Sequence, residues 1–309
     1  MSEQKKEKAL DLASVISTAI RVPGVKVVRD DFLRDQFKDL SQEEIEVIVQ
    51  NGPVLAGRSR EELHKKASRI IKARTAFTTT ASFMAGLPGG LAMAATIPAD
   101  LIQFYGTALR MAQELVYLYG EADLWCDGTP DGDKVTNQLI LYCGVMLGAS
   151  GAAQAVRVMT SALAKQALKK LPRQALTKHF IYNVIKSTLK FFGVSVTKSS
   201  FAKGVSKALP VVGGVVSGGI TLASMLPMGK RLANALDKAH FDYTTEDLEA
   251  DIQEINKVCE AVEKEESEKA QAEKDEALEK IQKAKQMLDD GIITESEFFE
   301  IKSKLIAKL

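Results

Sequence analysis

Histidine and cysteine, the side chains that most often carry metal and nucleophilic chemistry, are scarce here: three of each in 309 residues. Cys126, Cys143 and Cys259 stand far apart with no metal-type spacing. That pattern excludes a cysteine-built zinc site and reads as thiols of a reducing compartment. His64, His179 and His240 are equally isolated, and no His-Glu-x-x-His pattern occurs. Helix-borne zinc catalysis is therefore unsupported, and each histidine is expected to be a partly exposed structural residue. A Gly-x-Ser-x-Gly nucleophile elbow is also missing. The glycines at 86, 89, 90, 213, 214, 218 and 219 are never followed by Gly-Lys-Ser/Thr, and Arg231 stands where a phosphate loop needs its hydroxyl. No catalytic residue, cofactor or metal is expected on these grounds.

Further absences concern charge and pattern. β-Branched residues seldom alternate with polar ones, which removes the period-two signal of strands. Met1 to Lys8 is charged and leads into no apolar run, which argues against a secretory signal. Residues 75–99, 135–156 and 208–229 carry no charge at all. Each is about long enough to span a bilayer. They are rich in Gly, Ala, Ser and Thr, however, and prolines at 88, 98, 210 and 227 break two of them. A mean hydropathy of −0.05 suits a soluble chain. Close-packed central helices are the preferred reading, because small residues let backbones approach.

What is present is helix. Hydrophobic residues make up 46% of the chain, enough for one large domain and a small one. The expected fold is all-α: a multi-helix bundle with central Gly/Ala-rich helices over residues 1–245, a charged helical linker over 246–275, and a helical hairpin over 276–309. Its organising stretch is residues 85–120. There Thr96 caps a helix, Pro98 fits its first turn and Gly120 stops it. Ile97, Leu101, Phe104, Tyr105, Ala108, Ala112, Leu115 and Tyr119 give that helix one broad apolar face. Ahead of it, Ser41 with Glu44 and Ser59 with Glu62 fit capping boxes, and Asn51-Gly52-Pro53 ends a helix. Asp123 to Asp133 could suggest calcium. The twelfth position counted from Asp127 is Gln138 rather than Glu, so an exposed turn is expected.

The net charge of +1 conceals segregation. Residues 241–309 hold about 10 basic against about 20 acidic side chains. Residues 157–207 hold about 11 basic side chains and no acidic one. Within the latter, Lys165, Lys169, Lys170, Arg173, Lys178, Lys186 and Lys190 accompany a stripe of Ile181, Ile185, Leu189 and Phe192. Two readings are open: a solvated face matched by the acidic tail, or attraction to an anionic membrane surface, worth about 1 kcal/mol per basic group near lipid. Nucleic acid is the weaker partner, since Phe180, Tyr182, Phe191 and Phe192 do not repeat like a stacking platform.

After Thr244 the stripe Leu248, Ile252, Ile255, Cys259 and Val262 runs out, and Glu263 to Glu276 is almost wholly Glu, Lys, Ala and Gln. The last segment places Leu278, Ile281, Met287 and Leu288 on one helix, with Gly291 as its C-cap. Thr294 and Glu297 then open a second helix whose apolar face is Phe298, Ile301, Leu305 and Ile306, and Ile293 joins the interaction set. Two such helices bury too little to stand alone, so they are expected to pair with a copy, the main domain or another protein.

Gly86-Leu87-Pro88-Gly89-Gly90, with Ile97-Pro98-Ala99-Asp100-Leu101 and Leu118-Tyr119-Gly120, resembles the signature of the EcsC protein family. Leu209-Pro210-Val211-Val212-Gly213-Gly214 through Gly218-Gly219 to Arg231 is similar to that family's second glycine-rich block. Asp290-Gly291-Ile292-Ile293-Thr294 with Glu297-Phe298 resembles the bacterial short C-terminal domain, SHOCT. The resemblance implies a bacterial, intracellular protein with an oligomerisation or docking tail, and it supplies no catalytic residue set. The leading expectation is a non-enzymatic accessory or scaffold protein, cytoplasmic and peripheral on the anionic inner membrane face. The alternative is a toxin-like or defence protein that inserts residues 75–99 and 208–229 into lipid when triggered. A hydrolase with an unrecognised site is the third.

Overall fold

A computed structural model describes residues 12–76, 99–125, 132–168, 176–195 and 218–306. They contain twelve helices and no strand, so the chain is all-α. In order these are α1 (Leu12–Ile20), α2 (Arg29–Gln36), α3 (Gln42–Asn51), α4 (Arg60–Ala76), α5 (Ala99–Leu118), α6 (Gly132–Leu147), α7 (Ala152–Thr160), α8 (Ala162–Leu168), α9 (Leu176–Ser195), α10 (Gly218–Phe241), α11 (Thr245–Asp289) and α12 (Glu295–Ile306). Two compact units divide the chain, Met1–Val258 and Cys259–Leu309.

The first unit is built on α5 and α10. Helix α10 lies against α4, α5, α6 and α7, while α5 also meets α1, α2, α4 and α6. The one-faced reading of α5 is corrected by its burial. From Ile102 to Tyr119 nearly every residue is buried, including Gln113, Glu114 and Tyr117 on the polar side. The connection between α1 and α2, Trp125 and Arg74 of α4 meet that side, and the polar groups are matched there. Gln113 shows how, because its amide uses its full bonding capacity. Its Oε1 accepts Val27 N–H at 3.1 Å and Trp125 Nε1–H at 3.0 Å, and its Nε2 donates to Val25 O at 2.9 Å and Leu109 O at 3.0 Å.

Gly120 ends α5 as expected. At φ +99° it donates to Tyr117 O, and Glu121 N–H reaches back to Val116 O, the paired bonds of a Schellman stop. Gly52, which ends α3, comes so close that a Cβ there would lie 2.8 Å from Gly120 Cα. The Ser41–Glu44 capping box is complete, and Glu62 N–H donates to Ser59 Oγ at 3.2 Å. Thr96, Pro98, Gly86–Gly90 and residues 209–217 lie outside the described residues.

Helix α10 corrects the reading of Pro227 as a breaker, since the helix runs through it. The ring forfeits one helical hydrogen bond. Met225, Met228, Leu232, Ala235, Leu236 and Ala239 are buried along the same helix, and that burial holds it in place. A Cβ on Gly229 would meet Ile71 Cγ1 at 2.8 Å and Met111 Sδ at 3.0 Å. Where it is described, the small-residue segment does bring α10 close to α4 and α5.

Helix α11 is continuous over 45 residues. Leu248, Asp251, Ile255 and Val258 are buried, and the division between units falls after Val258, inside the segment expected as a linker. Beyond it, Lys264–Glu268, Lys269–Glu273, Glu276–Lys280 and Glu279–Lys283 pairs line a solvated helix. Gly291, at φ +69°, donates to Leu288 O, and Ile292 N–H donates to Met287 O at 2.8 Å, a second Schellman stop. Thr294 and Glu297 form the expected reciprocal cap, with Thr294 N–H to Glu297 Oε2 at 2.8 Å and Glu297 N–H to Thr294 Oγ1 at 3.4 Å.

Candidate functional site

The structure disperses part of the basic segment. Arg157 is withdrawn into the fold by Asp251. Lys165 is exposed on α8. Lys178 falls on α9, and Lys169, Lys170 and Arg173 lie outside the described residues. On α9 the buried face is Asn183, Val184, Ile185 and Thr188, so it is rotated from the expected stripe, leaving Ile181 and Leu189 half-buried at its edges. Tyr182, Lys186 and Lys190 follow one another at four-residue steps on the outer side. Lys186 Nζ sits over the Tyr182 ring at 4.5 Å from its centre.

In the second unit α12 buries no residue. Ile281, Leu288, Ile293, Phe298 and Leu305 are half-buried, whereas Leu278 and Ile301 are exposed. Met287, Ile292, Phe299 and Ile306 add to the exposed set, Ile292 at 66% and Phe299 at 67%. Reading an apolar stripe toward a pairing face missed Phe299 and Ile292, because they flank that stripe rather than lie in it.

A third location was not legible in the sequence. A cleft of about 540 Å³ opens where α2, α4 and α5 meet, lined by Lys26, Asp31, Phe32, Arg69, Arg74, Arg110 and Glu114 among others. Glu114 is 2% exposed. It takes Arg74 Nε at 2.7 Å on one oxygen and Arg110 Nε at 3.1 Å on the other, with Arg74 Nη2 also bonded to the second oxygen. Arg110 Nη1 donates to Gly24 O. The lining residues run from Lys26 to Glu114 and are brought together by the packing of α2, α4 and α5, and no short motif announces them.

His240 gains a partner the sequence did not suggest. Its ring stacks on Tyr119 at 6.2 Å between centres, and Nε2 lies 3.6 Å from Glu121 Oε1. Nearby, Arg60 binds Asp237 at 2.6 Å and Asp242 at 2.5 Å. Burial pushes the Tyr119 hydroxyl well above the usual phenol range, with the Asp237 charge adding to it. His64 is exposed. Cys143 is buried, and desolvation lifts its thiol to about 12, so it is a packing group and not a nucleophile.

Among the described residues no group of three His, Cys, Asp or Glu side chains could hold a metal ion. No helix among them is long and apolar enough to cross a membrane. Of the segments on which the insertion and calcium-turn readings rest, residues 77–98, 126–131 and 208–217 lie outside the described residues, while residues 218–229 open helix α10. Comparison with protein-family models, curated proteins and solved structures found no match.

Proposed function

We propose that this chain is a non-enzymatic scaffold or accessory protein that engages a second protein chain through its C-terminal hairpin. The observation that carries the reading is the apolar surface of that hairpin. Ile292, Phe299 and Ile306 stay more than half exposed, and no residue of α12 is fully buried. Exposed apolar groups gathered on one small module mark an interaction site. Its capping and Schellman bonds fix the hairpin's shape before any partner arrives, which lowers the ordering cost of binding. Deleting residues 276–309 should lower the mass seen by light scattering or remove a partner in a pulldown. Unchanged mass with no lost partner sinks the proposal.

The second half of the reading is peripheral docking on an anionic membrane face from the cytoplasmic side. The acid-free segment 157–207 and the aligned Tyr182, Lys186 and Lys190 support it, since an aromatic flanked by lysines suits the lipid headgroup layer. Flotation with vesicles containing anionic lipid, across a salt series, tests it. Equal binding to neutral vesicles, or none to either, removes it. Membership of the EcsC family with a SHOCT tail belongs to the same proposal. It rests on Gly86–Gly90, the block from Leu209 to Arg231, and Asp290–Phe298.

A further inference from the structure

We propose that the cleft between α2, α4 and α5 binds a small organic anion, a phosphate or carboxylate carried on an apolar body. Buried Glu114 neutralises one guanidinium but holds two, Arg74 and Arg110. The surplus positive charge therefore sits on the cleft wall. Arg69, exposed and one turn before Arg74 on α4, has no hydrogen-bond or ion-pair partner among the described residues. Over the whole lining, Lys26, Arg69, Arg74 and Arg110 outnumber Asp31, Asp35 and Glu114. Asp35 is in addition engaged by Lys38 at 3.4 Å.

Guanidiniums suit this task because their planar forks match carboxylate and phosphate oxygens. Two of the three are already fixed by Glu114, so they lose little side-chain freedom when an anion arrives. Beside them, Val27, Phe32, Ile70 and Ala73 give the lining an apolar part for the ligand's body. The volume of about 540 Å³ falls within the range of small-molecule sites. A purely structural triad would need neither the exposed Arg69 nor the opening.

Trp125 makes the site readable in the intact 309-residue chain. It is the sole tryptophan. Lys26 of the lining stands over its ring at 5.0 Å, and its Nε1 shares Gln113 Oε1 with the backbone of Val27. Phenyl phosphate is the probe, with benzyl alcohol and benzylamine as neutral and cationic controls, read by tryptophan fluorescence and calorimetry. Phenyl phosphate should saturate both signals, and the controls should bind at least about tenfold more weakly. Arg74→Ala strips Glu114 of a partner and endangers the fold, so the exposed Arg69→Glu carries the test. It should weaken phenyl phosphate at least about tenfold with an unchanged thermal melt. No saturable binding, unchanged affinity in Arg69→Glu, or equal binding of benzylamine overturns the proposal.

A soluble metabolite and a lipid headgroup share this chemistry, and flotation of Arg69→Glu with vesicles containing phosphatidylglycerol separates them. If phenyl phosphate binding falls and flotation stays, the anion is soluble. If both fall, the cleft takes a headgroup. Both results support an anion site in the cleft, and neither depends on the C-terminal hairpin.

Discussion

Arg157 of α7 and Asp251 of α11 form a two-bond ion pair, Nε to Oδ2 at 2.9 Å and Nη2 to Oδ1 at 2.5 Å. Tyr243 donates its hydroxyl to the same Oδ2 at 2.7 Å. The side chains are 17% and 7% exposed, so water screens the pair little. This contact matches the first basic residue of the acid-free segment with a carboxylate of the acidic C-terminal part. With buried Leu248, Ile255 and Val258 it ties the start of α11 to the first unit.

Removing Asp251 should therefore be costly. Asp251→Ala leaves the Arg157 guanidinium largely buried without its partner, and the expected loss is about 3–5 kcal/mol in urea denaturation. Arg157→Met combined with Asp251→Leu should recover much of it, because two apolar groups carry no stranded charge. A single-variant loss below about 1 kcal/mol would mean the pair behaves like a surface bridge.

Gly229 tests the packing of α10. Inside a helix, Gly→Ala ordinarily gains about 1 kcal/mol of propensity. Here the added Cβ would stand 2.8 Å from Ile71 Cγ1 and 3.0 Å from Met111 Sδ. Ile71 is buried and β-branched, so it has little room to turn away. Overpacking of this kind costs about 1–3 kcal/mol, which outweighs the propensity gain. Gly229→Ala should lower the midpoint of thermal unfolding. A rise would show that α10 can shift outward at no cost.

These two contacts mark what the sequence does and does not display. Helix ends were legible: Ser41 with Glu44, Gly52, Gly120, Gly291 and Thr294 with Glu297 all act where local rules place them. Caps and stops depend on residues within one turn. The full burial of α5 was not legible, because Gln113 and Glu114 look like a solvent face until the α1–α2 connection and Arg74 of α4 meet them. The cleft was hidden for the same reason. Arg74, Arg110 and Glu114 converge through tertiary packing, and a single sequence records no distance between helices. The continuation of α11 through residues 246–275 was half legible: the stripe from Leu248 to Val262 marked its apolar first turns, and the composition beyond suggested a solvated helix or flexible linker, but not that one helix would run unbroken to Asp289.

The cap of α12 gives a pH dependence with a definite sign. Thr294 backbone N–H, then its side chain, holds the Glu297 carboxyl below the ordinary glutamate range. A carboxyl depressed in the folded state contributes stability above its unfolded pKa and loses it as pH falls through the folded value. Protection factors of the α12 amides, corrected for the intrinsic pH dependence of exchange, should thus fall as pH drops through the ordinary glutamate range, and stay flat above it. In Glu297→Gln, which leaves no carboxyl to titrate, the response should vanish. An α12 that frays equally in both proteins would show that the cap is not what holds its first turn.

Phe299 separates surface from core in the hairpin. At 67% exposure its ring supports little within the chain. Ile306 lies seven residues on, two turns along the same side of α12, so the two form one apolar edge. An apolar ring left in water contributes to association once a partner covers it, at about 25 cal/mol per Å² of buried area. Phe299→Asp should accordingly weaken self-association or partner capture at least about tenfold, with helicity and melting unchanged. Phe298, half-buried on the neighbouring side, is the contrasting position: Phe298→Asp should disturb the hairpin itself. If Phe299→Asp leaves light-scattering mass and partner capture as they were, the exposed edge is not the contact surface.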